Sequence, residues 1–169
     1  LFTYTKYTDN SFKLSKTIFS FQDLLEQVLE EHNSNIIKHG IKLEVQTYSS
    51  DIEFYGDPEH LVRVLHNLFD NLTLHTDGNK EAKLVLYNNP GNIVLELSNC
   101  AESLKNCDPE ILFERMVRGD ESRSQKKGSG LGLSICRKIV NLHDGTITAE
   151  MHDAMFLIRM KLPYKKTEQ

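Results

Sequence analysis

Apolar residues recur at helical spacing through Phe21, Leu24, Leu25, Val28, Leu29 and Ile36. That period gathers them on one side, so residues 19–39 are predicted to form an amphipathic α-helix. Ser20 with Asp23 makes a capping pair at its start, and Gly40 supplies its stop. The period then changes to two. Ile41, Leu43 and Val45 alternate with polar residues, as in a half-buried strand. A second helix is predicted from Asp57-Pro58, an N-cap aspartate followed by proline at the first helical position. Its apolar stripe is Leu61, Leu65, Leu68, Phe69 and Leu72.

Farther along, residues 83–87 and 93–99 read as two strands around the turn Asn88-Asn89-Pro90-Gly91. A short helical signal at 109–115 leads into a charged stretch poor in aliphatics, 114–127. Leu131, Ile135, Ile139 and Leu142 mark a third helix. The chain closes on a hairpin: Ile147, Ala149 and Met151 alternate in one strand, and Phe156, Ile158, Met160 and Leu162 in the other. Residues 1–16, rich in Thr, Tyr, Lys and Asn, show no strong period. Helices interleaved with hairpin strands predict a two-layer α/β (α+β) sandwich, a mixed sheet packed by about three helices on one face. Turns too short for crossovers argue against an all-parallel sheet.

The bulk numbers narrow the function classes. A chain of 169 residues with 39% hydrophobic and 26% charged residues reads as one soluble globular domain, or one domain plus a tail. The net charge of −4 speaks against non-specific nucleic-acid binding. No apolar run approaches the ~20 residues of a membrane span. The start at Leu1 reads as a fragment of something longer, with any membrane anchor outside it. Cys100, Cys107 and Cys136 have no metal-site or disulfide spacing, and are expected to be buried small hydrophobes in a reducing compartment.

Three features carry chemistry. Gly128-Ser129-Gly130-Leu131-Gly132-Leu133 runs straight into the third helix. Glycines let the backbone approach phosphates, and a helix N-terminus offers free N–H groups. The segment is neither a P-loop nor the dinucleotide fingerprint, and a plain flexible turn is the alternative. Asn67 and Asn71 lie four apart on one face of the second helix, with His75 following on the same side. Amide oxygens suit Mg²⁺, which takes few protein ligands; two solvated asparagines would look the same. Finally, Ile93, Leu95 and Leu97 point to one side of their strand and Asn99 continues that phase, placing an amide inward at the strand end. A purine edge or a backbone group could satisfy it.

Taken in order, these features resemble the catalytic ATP-binding domain of bacterial two-component sensor histidine kinases. Their Bergerat-type fold is shared with gyrase, a heat-shock chaperone and the MutL repair protein (the GHKL superfamily). The resemblance covers roughly residues 17–164. Arg63-Val-Leu-His-Asn67-Leu-Phe-Asp-Asn71 is similar to the family's N box, Ile111-Leu-Phe-Glu-Arg-Met-Val-Arg118-Gly-Asp to its F box, and residues 128–133 to its G2 box. The resemblance implies ATP and Mg²⁺ as ligands. Asn71 would hold Mg²⁺, with Asn67 and His75 beside the nucleotide and Asn99 at the adenine. Asn67 also occupies the catalytic position at which the ATP-hydrolysing relatives carry glutamate. Gly128, Ser129, Gly130, Leu131, Gly132 and Leu133 would line the triphosphate. Residues 114–127 would form the ATP lid, with Phe113 packing at its base. Arg118, Arg123, Lys126 and Lys127 would neutralise phosphate charge, unless they are simply solvated.

Two positions depart from the family pattern. The G1 box, normally D-x-G-x-G, reads Asn99-Cys100-Ala101-Glu102-Ser103, and the N box has Leu74 where a basic residue is common. Weak rather than absent ATP binding is expected. None of His32, His39, His60, His66, His75, His143 and His152 fits the family's phosphoacceptor motif. Residues 1–16 would then be the tail of a dimerisation and phosphoacceptor hairpin, and 17–169 the catalytic domain. The resemblance implies a cytoplasmic domain that phosphorylates a histidine on that hairpin, for relay to an aspartate of a response-regulator receiver domain. No nucleic-acid or membrane contact is expected. The alternative is a degenerate domain with weak or no ATP binding, acting as an interaction module.

Overall fold

The computed structural model describes residues 13–48, 53–114 and 132–164. Helix α1 (Phe21–Lys38) begins where the Ser20 hydroxyl accepts from the amide of Asp23 at 3.1 Å. It ends at Gly40, whose φ of 71° reverses the chain while its amide bonds back to the Ile37 carbonyl. Helix α2 (Pro58–His75) starts at the predicted aspartate cap, with Asp57 accepting from the amide of His60 at 3.1 Å. The single turn α3 (Ile111–Glu114) and helix α4 (Gly132–Leu142) follow.

Five strands form the main sheet in the order β2 (Lys42–Thr47), β4 (Glu81–Asn89), β5 (Asn92–Cys100), β7 (Met155–Pro163) and β6 (Thr146–His152). The β2–β4 pair is parallel and the rest are antiparallel, so the mixed sheet of the sequence reading is present. Both predicted hairpins are there. The first is tighter than expected, with the strands running to Asn89 and Asn92 around Pro90-Gly91. Two short strands escaped the pattern: β1 (Thr17–Ser20) and β3 (Glu53–Gly56), which pair antiparallel as a separate ribbon. Four residues hold too few alternations to register as a period.

Helices α1, α2 and α4 all press on one face of the sheet. Phe21, Leu25 and Val28 meet Leu61, Leu65 and Leu68 over Leu84, Leu95 and Ile158, all at most 3% exposed. The other face carries a polar lattice. Arg159 bonds Glu96 at 2.7 Å and Glu150 at 3.0 Å, while the Tyr87 hydroxyl donates to Glu96. Some expectations need correction. Val45 is 46% exposed because β2 is an edge strand, and Leu142 is 40% exposed because α4 ends there. Cys100 and Cys136 are buried as expected, but Cys107 lies exposed in the loop before α3.

His143 ties α4 to the start of α2. Its Nδ1–H donates to the Ile139 carbonyl at 2.8 Å, and its Nε2 accepts from the Asp57 amide at 2.9 Å. Only the neutral ring with hydrogen on Nδ1 can do both. Burial holds its pKa below the ordinary 6.5, against the upward pull of the Ile139 carbonyl and Asp57; Lys16 and His60 add to the lowering. Burial likewise lowers His32, opposed by Asp70 and Glu31 and aided by His66. A ring that protonates more readily unfolded than folded contributes stability above its unfolded pKa, and loses it as pH falls through the folded value. The melting temperature is therefore expected to fall as pH drops below about 6.5. His143→Gln should flatten part of that slope; an unchanged slope in a pH series of melts would remove His143 from the account.

Candidate functional site

The site is built around the exposed side of α2. The leucine stripe anchors that helix to the sheet and turns the side bearing Asn67 and Asn71 away from the core. Both asparagines are half-buried, as is His75 one turn on. Leu74 between them is 50% exposed. Gly132, at the start of α4, lies against Asn67: a Cβ placed on it would stand 3.4 Å from Asn67 Oδ1. The structure thus brings together the first asparagine and the last glycine of the two motifs, more than sixty residues apart in the chain.

Asn67 is also electrostatically incomplete. Its Nδ2 is buried and has no hydrogen-bond partner. A donor left in that state costs about 1–3 kcal/mol. Behind Asn67 stands Cys136, fully buried. Its thiol is pushed up to about 12 by burial, with the neighbouring Asn67 amide and the charge of Arg63 pulling the other way, and its Sγ faces the Val64 carbonyl at 3.7 Å. This thiol stays protonated and acts as packing. Leu133 is 6% exposed with its side chain in the core, so only its backbone remains for a ligand.

Asn99 closes the far end of β5. It is 2% exposed, and its Nδ2 donates to the neighbouring Cys100 carbonyl at 3.3 Å. Of the two partners considered for it, a backbone group is therefore in place. Phe113 is 4% exposed at the end of α3, beneath the guanidinium of Arg137. Arg118, Arg123, Lys126, Lys127, Gly128, Ser129, Gly130 and Leu131 lie outside the described residues.

One residue of this region went unread in the sequence. Asp77 follows α2 and accepts from the amides of Glu102 and Ser103, at 2.6 and 3.0 Å, while its own amide donates to the Cys100 carbonyl. Desolvation raises its pKa, but bonds from the Ser103 side chain and from the two amides outweigh that and leave it below the ordinary carboxylate value. The loop after Asn99 is thereby tied to the end of α2 without the usual glycines. The signal available was the turn Asp77-Gly78-Asn79, which gives no hint of its distant partner.

The profile of the histidine kinase-, DNA gyrase B-, and HSP90-like ATPases matches residues 56–166, which spans α2, the main sheet except β2, and α4. The chain belongs to this ATPase family. Among curated relatives, the sensor protein VanS of Enterococcus faecium is 29% identical over 163 residues, covering 96% of this chain and 42% of VanS. The histidine kinase BaeS of Escherichia coli is 31% identical over 127 residues, covering 75% of this chain and 27% of BaeS. The chain thus spans less than half the length of these relatives. Among solved structures, the catalytic domain of histidine kinase ThkA superposes with a TM-score of 0.72 at 25% identity, covering 89% of this chain and 96% of that one. The full-length kinase ShkA, in complex with AMPPNP, shares the fold with a TM-score of 0.78 at 17% identity, over 98% of this chain and 35% of ShkA. A nucleotide-binding ATPase fold of the sensor-kinase type is the coarse identity of this domain.

Proposed function

We propose that this chain is the ATP-binding domain of a sensor histidine kinase, which presents the γ-phosphoryl group of ATP to a histidine on a helical hairpin elsewhere in the same protein. The observation that carries this reading is the packing of Asn67 against Gly132, with Oδ1 turned toward the glycine and a buried Nδ2 that has no partner, which joins the N and G2 motifs at one place. Asn71, four residues on, is half-buried on the same helix face, and its amide oxygen would hold Mg²⁺. The ion would supply charge neutralisation on the phosphates. Transfer of this kind depends on orientation and charge stabilisation more than on a protein base. Asparagine rather than glutamate at position 67 agrees with that division, since no carboxylate there can activate water.

The relay would continue to an aspartate on a response-regulator receiver domain. ThkA has been solved in complex with its response regulator, and similarity of fold makes the same class of partner reasonable here. We place the domain on the cytoplasmic side, where ATP is supplied. A second reading is favoured by two observations: Asn99-Cys100-Ala101-Glu102-Ser103 lacks both glycines of the G1 box, and Leu74 replaces the common basic residue. In that reading the domain binds ATP too weakly to use it and serves as a docking module.

Calorimetry separates the two. Micromolar to sub-millimolar MgATP binding by the wild type, lost in Asn71→Ala, is expected for the kinase domain. Binding of this kind should also raise the melting temperature, by RT ln(1 + [L]/Kd) in free energy. No heat and no thermal shift at millimolar MgATP would transfer the case to the docking module.

A further inference from the structure

Helix α3 is four residues long. A single turn has no stability of its own in water, because nucleation costs more than one hydrogen bond returns. Its placement, and with it that of Phe113, must come from contacts made by other elements. Those contacts converge on one side chain. Arg137, on α4, reaches Glu110 just before α3 with Nη2 to Oε2 at 2.5 Å. The same guanidinium lies 3.8 Å over the centre of the Phe113 ring. The other Glu110 oxygen accepts from the Ala149 amide on β6 at 3.4 Å, and Arg137 Nη2 also points at the Ile147 carbonyl, 3.5 Å away.

This is a three-way clamp. One planar cation lies over an aromatic face and pairs with a carboxylate, a combination that lysine cannot reproduce. Arg137 stands one helical turn beyond Leu133 and Gly132, so the clamp fixes Phe113 relative to the turn of α4 that touches Asn67. We propose that Arg137 is a positioning residue for nucleotide binding, holding Phe113 and α3 in register with the Asn67–Gly132 junction through Glu110. The inference rests on the nucleotide-site reading above. None of the three family boxes includes Arg137 or Glu110.

The test compares MgATP affinity in the whole chain for the wild type, Arg137→Met, Arg137→Lys and Arg159→Met. Arg159→Met is the control: it removes an arginine that bonds two carboxylates on the opposite face of the sheet. Arg137→Met is expected to weaken MgATP binding about tenfold, Arg137→Lys to recover part of the loss, and Arg159→Met to leave affinity unchanged. Nucleotide-free melts report the general stability loss of each variant. If affinity follows those melting temperatures across all three variants, the role is merely structural and the proposal fails.

The chain contains no tryptophan, so Phe113→Trp makes a single reporter at the clamp. Its fluorescence should become more accessible to acrylamide when Arg137→Met is added; equal quenching would show that Arg137 does not hold this position and would overturn the inference. A wild type that binds MgATP while Arg137→Met binds equally well overturns the positioning role alone. A wild type that binds no nucleotide overturns the function and this inference together.

Discussion

Asn67→Leu is expected to weaken MgATP binding at least tenfold while leaving the nucleotide-free domain as stable as before or slightly more so. Leucine keeps the branched shape of asparagine, so the space beside Gly132 stays filled. It also removes the buried Nδ2 that has no partner in the free protein. Deleting an unsatisfied donor relieves a cost of about 1–3 kcal/mol. Against that stands the loss of the Asn67 amide beside the Cys136 sulfur, a weak contact; the thiol still faces the Val64 carbonyl. A residue kept for packing would do the reverse, with the leucine variant binding normally. Calorimetry alongside melting curves reads both quantities from the same preparation. A leucine variant that binds MgATP like the wild type would remove Asn67 from the site, and one that melts far lower would show its amide to be structural.

The second large effect is expected at Gly145. Helix α4 ends through Asp144, which adopts the left-handed conformation at φ 58°, and Gly145 returns its amide to the Val140 carbonyl at 2.9 Å. The glycine is there for proximity. A Cβ on it would stand 2.5 Å from the Lys161 carbonyl oxygen and 3.0 Å from both Leu162 Cδ2 and Val140 Cγ1. The nearest of these is backbone in β7, so relief requires helix and sheet to separate. Gly145→Ala is expected to cost about 3 kcal/mol, and with it roughly 6–12 °C of melting temperature for a domain of this size. Gly91→Ala supplies the contrast. Its φ of 83° is strained for alanine but nothing lies within 4 Å, so about 1–2 kcal/mol is expected. Equal losses in the two variants would mean that conformation, rather than contact with β7, governs Gly145.

The site itself was partly legible. Asn67, Asn71 and His75 could be placed on one helix face from spacing alone, because a helix repeats every 3.6 residues and the leucine stripe identifies its inward side. The inward phase of Asn99 followed from alternation along β5 and is met by its burial. Local sequence could not show what each of these residues touches. The approach of Gly132 to Asn67, the hold of Asp77 on the loop after Asn99, and the joining of Glu110 to Arg137 all link residues 25 to 65 positions apart. Hydrogen bonds and ion pairs over such separations leave no period in the sequence. Either partner alone is an ordinary polar residue.

The same division runs through the whole molecule. The sequence by itself determined the main helices, the two hairpins and the sided character of each, since capping chemistry and hydrophobic period are local and each segment carries its own. It also carried the ordered motifs from which family membership could be anticipated. Only the tertiary structure decided the parallel pairing of β2 with β4, the β1–β3 ribbon, and the neutral His143 bridge between α4 and the cap of α2. Those features exist because a shared core forces distant segments together. The unmet amide of Asn67 belongs with them, for whether a polar atom lacks a partner depends on everything packed around it.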